Sequence, residues 1–375
     1  MGAAPTIIAD ADQIEELLEH GAEVLGLGEP THGSANVLDW KVGLVLELAR
    51  RGRRIVLALE ESVPVARATD AVLRGACGAD PFDAWSAGSR LWRTEGYREG
   101  LRAIACWNGA RSPADRIALI GVDIQHPGRA AADLLAAGVR AEVLERIAQG
   151  GGTGARGGVQ AGDIPVLVAL VSRLEREGRA EALLLARVLH RHALAYVAEP
   201  DLAGLWRRDG FMAQTLLEQR GGAGGGDGAG AGAEGGAITI LSAHNEHIAC
   251  SETGFGGPTM GWALRQELGE KYVSIGVLCG DGECRAIDPS SGSREYRSLA
   301  LPPLREGSTD EQLARRGEVL VRAQEVPHPG PRRFIGWMLD SRDAEAQPEA
   351  YEVRRPISDF DLLKHFPRSE ADRSA

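Results

Sequence analysis

Apolar and polar positions fall in alternating blocks along the first third of the chain. Over residues 11–20 the apolar side chains Ile14, Leu17 and Leu18 recur at helical spacing, and the short run AEVLGLGE follows. Residues 34–51 return to helical spacing, with Val37, Leu44, Val45 and Leu48 on one stripe. RRIVLALEE reads as a second strand, VPVARATDAVLRG and residues 94–111 as helices, and RIALIGVD as a third strand. Further on, AITILSAH predicts a fourth strand, MGWALRQELG a helix and KYVSIGVLCG a fifth strand, before a mixed, proline-rich remainder. Short, fully apolar strands separated by helices indicate parallel βαβ units with both sheet faces covered. The expected fold is therefore α/β: a central, mostly parallel sheet flanked by helices.

Two glycine-rich tracts, residues 150–162 and 221–236, are too poor in apolar residues to pack and are expected to be flexible surface loops. Between them, residues 164–220 are dense in leucine, alanine and arginine, which predicts an inserted helical lobe forming a cleft with the sheet. The whole of residues 1–375 is expected to form one domain.

Composition narrows the functional classes. The chain of 375 residues is 43% hydrophobic and 25% charged, with a formal net charge of −11, which disfavours a nucleic-acid partner. No apolar stretch reaches the length of a membrane span, and the opening MGAAPTIIADADQIEELLEHG lacks the basic and apolar regions of a signal peptide. A cytoplasmic protein with a small-molecule substrate is the expectation. Five cysteines without CxxC spacing make neither a zinc ribbon nor a disulfide framework, and Cys106 and Cys250 are expected as small buried hydrophobes.

The chemistry concentrates where strands end. In an open parallel sheet, ligands sit beyond the carboxyl ends of the strands. The first predicted strand ends at Glu29 and His32, the second at Glu60 and Glu61, the third at Asp123 and the fourth at His244 and His247. A carboxylate, Glu29 or Glu60, can take the ring N–H of His32 and leave its other nitrogen to accept a proton from water. His244 and His247 can then hold the attacked carbonyl or protonate a leaving group. Lys41 lies on the stripe that should be buried. It either snorkels to water or approaches the cluster to pair with Glu60 or stabilise an oxyanion. Glu61 should face away from Glu60, since strand neighbours alternate sides. No GxSxG elbow is present, and GLGEPT lacks the third glycine of a dinucleotide fingerprint. His190 and His192 read as solvated, and His126 as a cleft border or a cap before Pro127.

GEPTHGS, with Lys41 downstream, resembles the GE-x-THG…K opening of the erythromycin esterase family. ALEE (58–61), GVDIQ (121–125), RRDGFMA (207–213), SAHNEH (242–247) and MGWALRQELGEKYVSIG (260–276) are similar to later family motifs in family order, and ISDFDLLKHF (357–366) is also family-like. The resemblance implies a metal-independent hydrolase that opens ester or macrolactone bonds with activated water. It places His32 as general base, with Glu29 and Glu60 as the catalytic carboxylates. Lys41, Asp123, His244 and His247 become substrate-binding candidates, joined by Arg208 and Asp209, whose motif has a structural or cleft-lining role. Asn36 departs from the glutamate common at that position. No cofactor is expected. Two alternatives stand beside this reading: a hydrolase in which Glu29, His32, Glu60, His244 and His247 hold a divalent metal, and a biosynthetic enzyme of secondary metabolism that rearranges or transfers part of its substrate without net hydrolysis.

Overall fold

Each of the first four predicted strands is buried along its whole length: β1 (Val24–Leu27), β2 (Ile55–Ser62), β3 (Ala118–Asp123) and β4 (Ile238–Ser242). The computed structural model describes residues 4–75, 79–150, 157–198, 203–223, 236–252, 257–355 and 359–375. The remaining strands are β5 (Tyr272–Ile287), β6 (Tyr296–Ala300), β7 (Val319–Arg322), the two-residue β8 (Arg332–Arg333) and β9 (Glu352–Val353), and β10 (Leu362–Ser369). The main sheet runs β3-β2-β4-β1-β5-β10-β7. Every pairing from β3 to β10 is parallel; β7 adds antiparallel at the edge, and β6 pairs antiparallel with the far half of β5. The α/β architecture expected from the pattern is the one observed.

Twelve helices matter to the site: α1 (Pro5–Glu19), α2 (Ala35–Arg50), α3 (Val63–Leu73), α4 (Pro81–Trp85), α5 (Glu95–Gly109), α6 (Pro127–Ala136), α7 (Glu142–Gln149), α8 (Ile164–Arg176), α9 (Ala180–Ala193), α10 (Ala203–Ala223), α11 (Asn245–Ile248) and α12 (Met260–Leu268). Strand residues alternate between two cores. Leu25, Leu27, Leu57, Leu59 and Ile240 meet Ile14 of α1, Leu44 of α2 and Ile104 of α5. Val24, Val56, Ala58 and Leu241 meet Met212 and Leu216 of α10 and Leu264 of α12. A third core joins α6, α7, α8 and α9 through Leu134, Ile147, Leu170 and Leu189, and reaches the sheet at Val63 and Ile124. The helical lobe therefore draws on α6 and α7 as well as on residues 164–193, while α10 lies on the sheet. Of the glycine tracts, residues 151–156 and 224–235 lie outside the described residues, and residues 221–223 continue α10. No helix among the described residues is long and apolar enough to cross a membrane.

Strand order places the site. β1 and β4 are neighbours, yet β1 leads into α2 on one face while β4 leads into α11 and α12 on the other. Such a divergence opens a crevice at the carboxyl ends of the two strands. Asn245 braces it: its backbone N–H donates to the Glu29 carbonyl at 3.0 Å, and its side-chain amide exchanges hydrogen bonds with the backbone of Val277 at 2.7 and 3.0 Å. Gly28 makes room for that amide, since a Cβ there would collide with Asn245 Oδ1.

Two minor expectations are corrected. His192 is buried, with Nδ1 3.1 Å from the Ile124 carbonyl oxygen, because α9 turns it into the third core. Cys106 is exposed and Cys250 half-buried, since the helix stripe that packs in α5 passes through Leu101 and Ile104 instead.

Candidate active site

The turn after β1 holds Glu29 and His32 three residues apart, so that His32 Nδ1 lies 2.7 Å from Glu29 Oε1. The second Glu29 oxygen receives Lys41 Nζ at 2.7 Å, and Lys41 also donates to Ser242 Oγ at 3.1 Å. Lys41 is buried and pairs with Glu29, not with Glu60 and not with water. Helical side chains lean toward the helix N-terminus, which aims Lys41 back at the end of β1. Burial pushes the Glu29 carboxyl up, but Lys41 and His32 more than reverse this and hold it at about 2. Ionised Glu29 accepts a hydrogen bond from the Nδ1–H of His32, so Nε2 is the nitrogen left to accept a proton. His32 Nε2 makes no hydrogen bond among the described residues. The ring meets that of Trp92 edge to face, with centroids 5.0 Å apart, and the His244 ring at 4.9 Å.

A second group is wired more densely. Arg208 forks onto Asp123, with Nε 3.0 Å from Oδ1 and Nη2 2.9 Å from Oδ2, and reaches Glu60 Oε1 at 3.2 Å. His247 lies between two carboxylates: Nε2 is 3.2 Å from Glu60 Oε1 and Nδ1 is 2.9 Å from Asp209 Oδ1. Burial works against the His247 proton, yet Asp209 and Glu60 win and raise it to about 10, so this histidine is an imidazolium at neutral pH. Glu60 stays well below the usual carboxylate range despite its burial, chiefly through His247, with His32 and Arg208 adding to the effect. The backbone N–H of His244 donates to Glu60 Oε2 at 3.0 Å, and that of Met260 to Asp209 Oδ2 at 3.0 Å.

His244 is the opposite case. Nδ1 accepts the Glu246 N–H at 3.2 Å, and Nε2 lies 3.3 Å from the Ile335 carbonyl oxygen, which fixes a neutral Nε2–H ring. Burial, with His32 beside it, drives its pKa down to about 3. Phe334 packs edge-on at 5.1 Å. Glu61 faces away from Glu60, taking the N–H groups of Ser62 and Ser89 at 2.6 and 3.1 Å, and burial raises it to about 7. His126 is the N-cap residue of α6 by position, in a left-handed conformation at φ 62°, but its side chain makes no cap hydrogen bond.

All nine side chains singled out in the sequence thus stand at one sheet edge, in two connected groups. The donors of the metal-holding alternative are largely taken by protein partners. Both ring nitrogens of His244 and of His247 are engaged, Glu29 faces Lys41, and Glu60 and Asp123 face Arg208. Among the described residues no three histidine, cysteine or acidic side chains converge as ligands. Sequence reasoning missed Ser242, Trp92 and Phe334. Ser242 stood inside the quoted SAHNEH motif, whereas Trp92 and Phe334 lie in irregular segments with no periodic signal.

The erythromycin esterase family profile matches residues 168–369, more than half of the chain. The matched span includes Arg208, Asp209, His244 and His247, and begins downstream of Glu29, His32, Lys41, Glu60 and Asp123. No curated protein matches the chain. Three solved structures share its fold. A succinoglycan biosynthesis protein superposes with a TM-score of 0.78 at 16% identity, over 100% of this chain and 96% of that one. A protein from Bacillus cereus gives 0.77, again at 16% identity and the same coverages. A histidine-to-asparagine mutant of the erythromycin esterase EreC, in its open conformation, gives 0.70 at 16% identity over 99% and 98%.

Proposed function

This chain belongs to the erythromycin esterase family, and from that premise we propose that it hydrolyses an ester or lactone bond in a natural product of macrolide type, with water activated by His32. The family supports an esterase-like hydrolase. The observation that carries the finer reading is the Lys41–Glu29–His32 relay, which ends on a ring nitrogen without a partner. In this reading Nε2 takes a proton from water as the oxygen attacks the carbonyl carbon. The imidazolium that forms is held by ionised Glu29. Collapse of the tetrahedral intermediate breaks the C–O bond, and the departing alkoxide takes the proton from Nε2. A lactone is thereby opened to one molecule bearing both acid and alcohol.

In this reading the second group, in which Arg208 and His247 stand among the carboxylates of Glu60, Asp123 and Asp209, forms a fixed polar wall beside the attacked carbonyl. Arg208 uses Nε and Nη2 on carboxylates, and its Nη1 lies 3.4 Å from His247 Nε2. Glu60 acts as a positioning residue, because its oxygens are taken by His247, Arg208 and the His244 backbone. No step needs a metal or an organic cofactor.

The test is turnover of a panel of macrolides and simpler lactones in 18O-labelled water, followed by mass spectrometry. The wild-type protein adds one labelled oxygen, and His32→Gln loses at least ~10²-fold in rate while keeping the wild-type circular dichroism. A His32→Gln protein that turns over at near wild-type rate removes the general-base assignment. Product without label removes the hydrolytic reading.

A further inference from the structure

The short turn that carries Trp92 has no covalent or sheet connection to the His32 loop, yet the two rings meet edge to face at 5.0 Å. Something must hold the turn there. Residues 90–92 form a single 3-10 turn capped by Ser89. Its amide end is held by Glu61, through the Ser89 N–H at 3.1 Å. Its carbonyl end is held by two side chains: Trp85 Nε1 donates to the Trp92 carbonyl at 3.0 Å, and Arg285 takes the two carbonyls before it. Arg285, in the far half of β5, donates Nη1 to the Leu91 carbonyl at 2.9 Å and Nη2 to the Arg90 carbonyl at 3.3 Å.

The same residue holds the other loop. The Arg285 backbone N–H donates to the Gly33 carbonyl at 3.0 Å, one residue after His32. Gly33 lies so close to this strand that a Cβ on it would collide with the Arg285 backbone. Arg285 Nε donates to Ser374 Oγ at 3.1 Å, and its guanidinium lies 4.1 Å from the Tyr296 ring centroid. The segment around Ser374 repeats the bridge with backbone alone: the Asp372 N–H donates to Gly33 O at 2.9 Å, and the Ala375 N–H to Arg93 O at 3.1 Å.

Arg285 is only 4% exposed, and among the described residues no carboxylate lies within ion-pairing distance of it. A buried cation whose hydrogen bonds go only to carbonyls and a hydroxyl, with the Asp372 carboxylate acting on it from beyond ion-pairing distance, is costly, because taking a charge out of water carries a penalty of several kcal/mol. Simple adhesion between two loops does not need a charge. A planar fork that reaches two adjacent carbonyls from a rigid strand gives geometric definition that a neutral or single-point donor does not. Definition matters here because Glu29 fixes only one atom of the His32 ring. The tilt of the ring about that bond is set by what touches its faces and edges, namely Trp92 and His244.

We propose that Arg285 is a positioning residue for the reaction, setting the Trp92 edge against the His32 ring so that Nε2 is aimed at the attacking water. The catalytic part of this inference rests on the general-base reading of His32, but the geometric part does not.

The experiment separates the two. In uniformly 15N-labelled protein, long-range 1H–15N correlation spectra give the His32 ring signals, assigned by their loss in His32→Gln. Ring-current shifts make those protons sensitive to the Trp92 edge whether or not any ester is turned over. Arg285→Lys keeps the charge and removes the fork; Arg285→Gln is the second variant, should the lysine form fail to fold. Trp92→Leu gives the reference position of the signals without the indole.

Arg285→Lys is expected to move the His32 signals toward the Trp92→Leu position, and the double variant to coincide with Trp92→Leu alone. On a turned-over lactone, kcat falls roughly ten- to a hundredfold with little change in KM, the scale set by small misplacements of a catalytic group. His32 signals at wild-type positions in both Arg285 variants overturn the proposal, and so do shifts that simply add in the double variant. Absence of any lactone turnover in the wild-type protein counts against the proposed reaction and leaves the spectroscopic result to decide this inference.

Discussion

Replacing Lys41 with methionine tests the relay most directly, because it removes one charge from a buried chain of three groups and keeps much of the side-chain volume. In the folded protein Glu29 sits at about 2 against an ordinary value of 4.5. That depression corresponds to roughly 3 kcal/mol of preferential stabilisation of the ionised form. Burial opposes it, so the cations must supply more than the net figure, and the Lys41 charge is the largest single opposing contribution. Without Lys41 the carboxylate is left buried with only a histidine beside it. Breaking a buried pair on one side typically costs about 3–5 kcal/mol. Lys41→Met is therefore expected to lose stability on that scale, read by urea unfolding at pH 7. Removing both partners should cost less, so Lys41→Met/Glu29→Gln recovers most of the loss.

The pH dependence carries a sign. A depressed carboxylate contributes stability that is complete above its unfolded value and is lost as pH falls through the folded one. In wild-type protein the Glu29 contribution therefore disappears between about 4.5 and about 2. In Lys41→Met the loss begins at higher pH, because the neutral carboxyl becomes the favoured buried form. Under the proposed mechanism activity falls with it, by about a hundredfold, since a protonated Glu29 no longer holds the imidazolium that His32 becomes there. Two results refute the reasoning: a Lys41→Met protein within about 0.5 kcal/mol of wild type, the range of ordinary surface substitutions, or a double variant less stable than the single one.

The second group makes its own predictions. His247 is raised to about 10, so its proton stabilises the fold fully below pH 6.5, and that contribution drains away as pH climbs toward 10. Thermal melts between pH 7 and pH 10 should show this alkaline loss in wild type and not in His247→Asn. His244 has the opposite sign: neutral in the fold and depressed to about 3, it costs stability as pH falls from 6.5. His244→Gln should flatten that limb in acid melts. Arg208→Met strands Asp123 and Glu60 together and is expected to cost about 3–5 kcal/mol in urea unfolding, with Arg208→Lys intermediate because one ammonium cannot replace the fork.

Most of the sheet is legible from hydrophobic pattern because β1 to β4 are buried on both faces and are mostly apolar up to their carboxyl ends. β10 is not, for a physical reason. Its LLKHF run breaks with Lys364 and His365, yet both are buried: Lys364 pairs with Asp10 and Glu318, and His365 Nδ1 lies 2.7 Å from the Gly317 carbonyl oxygen. Those partners lie far away in sequence, and no local rule marks them. The same limit applies to Lys41, whose burial the helical stripe shows but whose partner it misplaces. Period fixes the face of a helix, whereas the lean of the side chain selects which strand end it reaches. Arg285 is the extreme case, standing beyond the recognisable run of β5 with no periodic signature and acting through loops some 190 and 250 residues before it.

What strand ends do reveal is the candidate site, and the division of labour proposed within it follows from how fully each group is wired. Glu60, Arg208, Asp209 and both ring nitrogens of His244 and His247 are occupied by partners from β3, α10, α11 and the Ile335 segment. Groups so saturated hold charge and position, and they move a proton only at the expense of several other bonds. His32 is tied at one nitrogen alone, by a carboxylate kept ionised from behind. The two groups meet where β1 and β4 diverge, through Lys41 on Ser242 and the Asn245 N–H on Glu29. A reactive nitrogen held against a rigid, charged wall suits the proposed water activation, in which His32 carries the chemistry and the residues around it set its orientation.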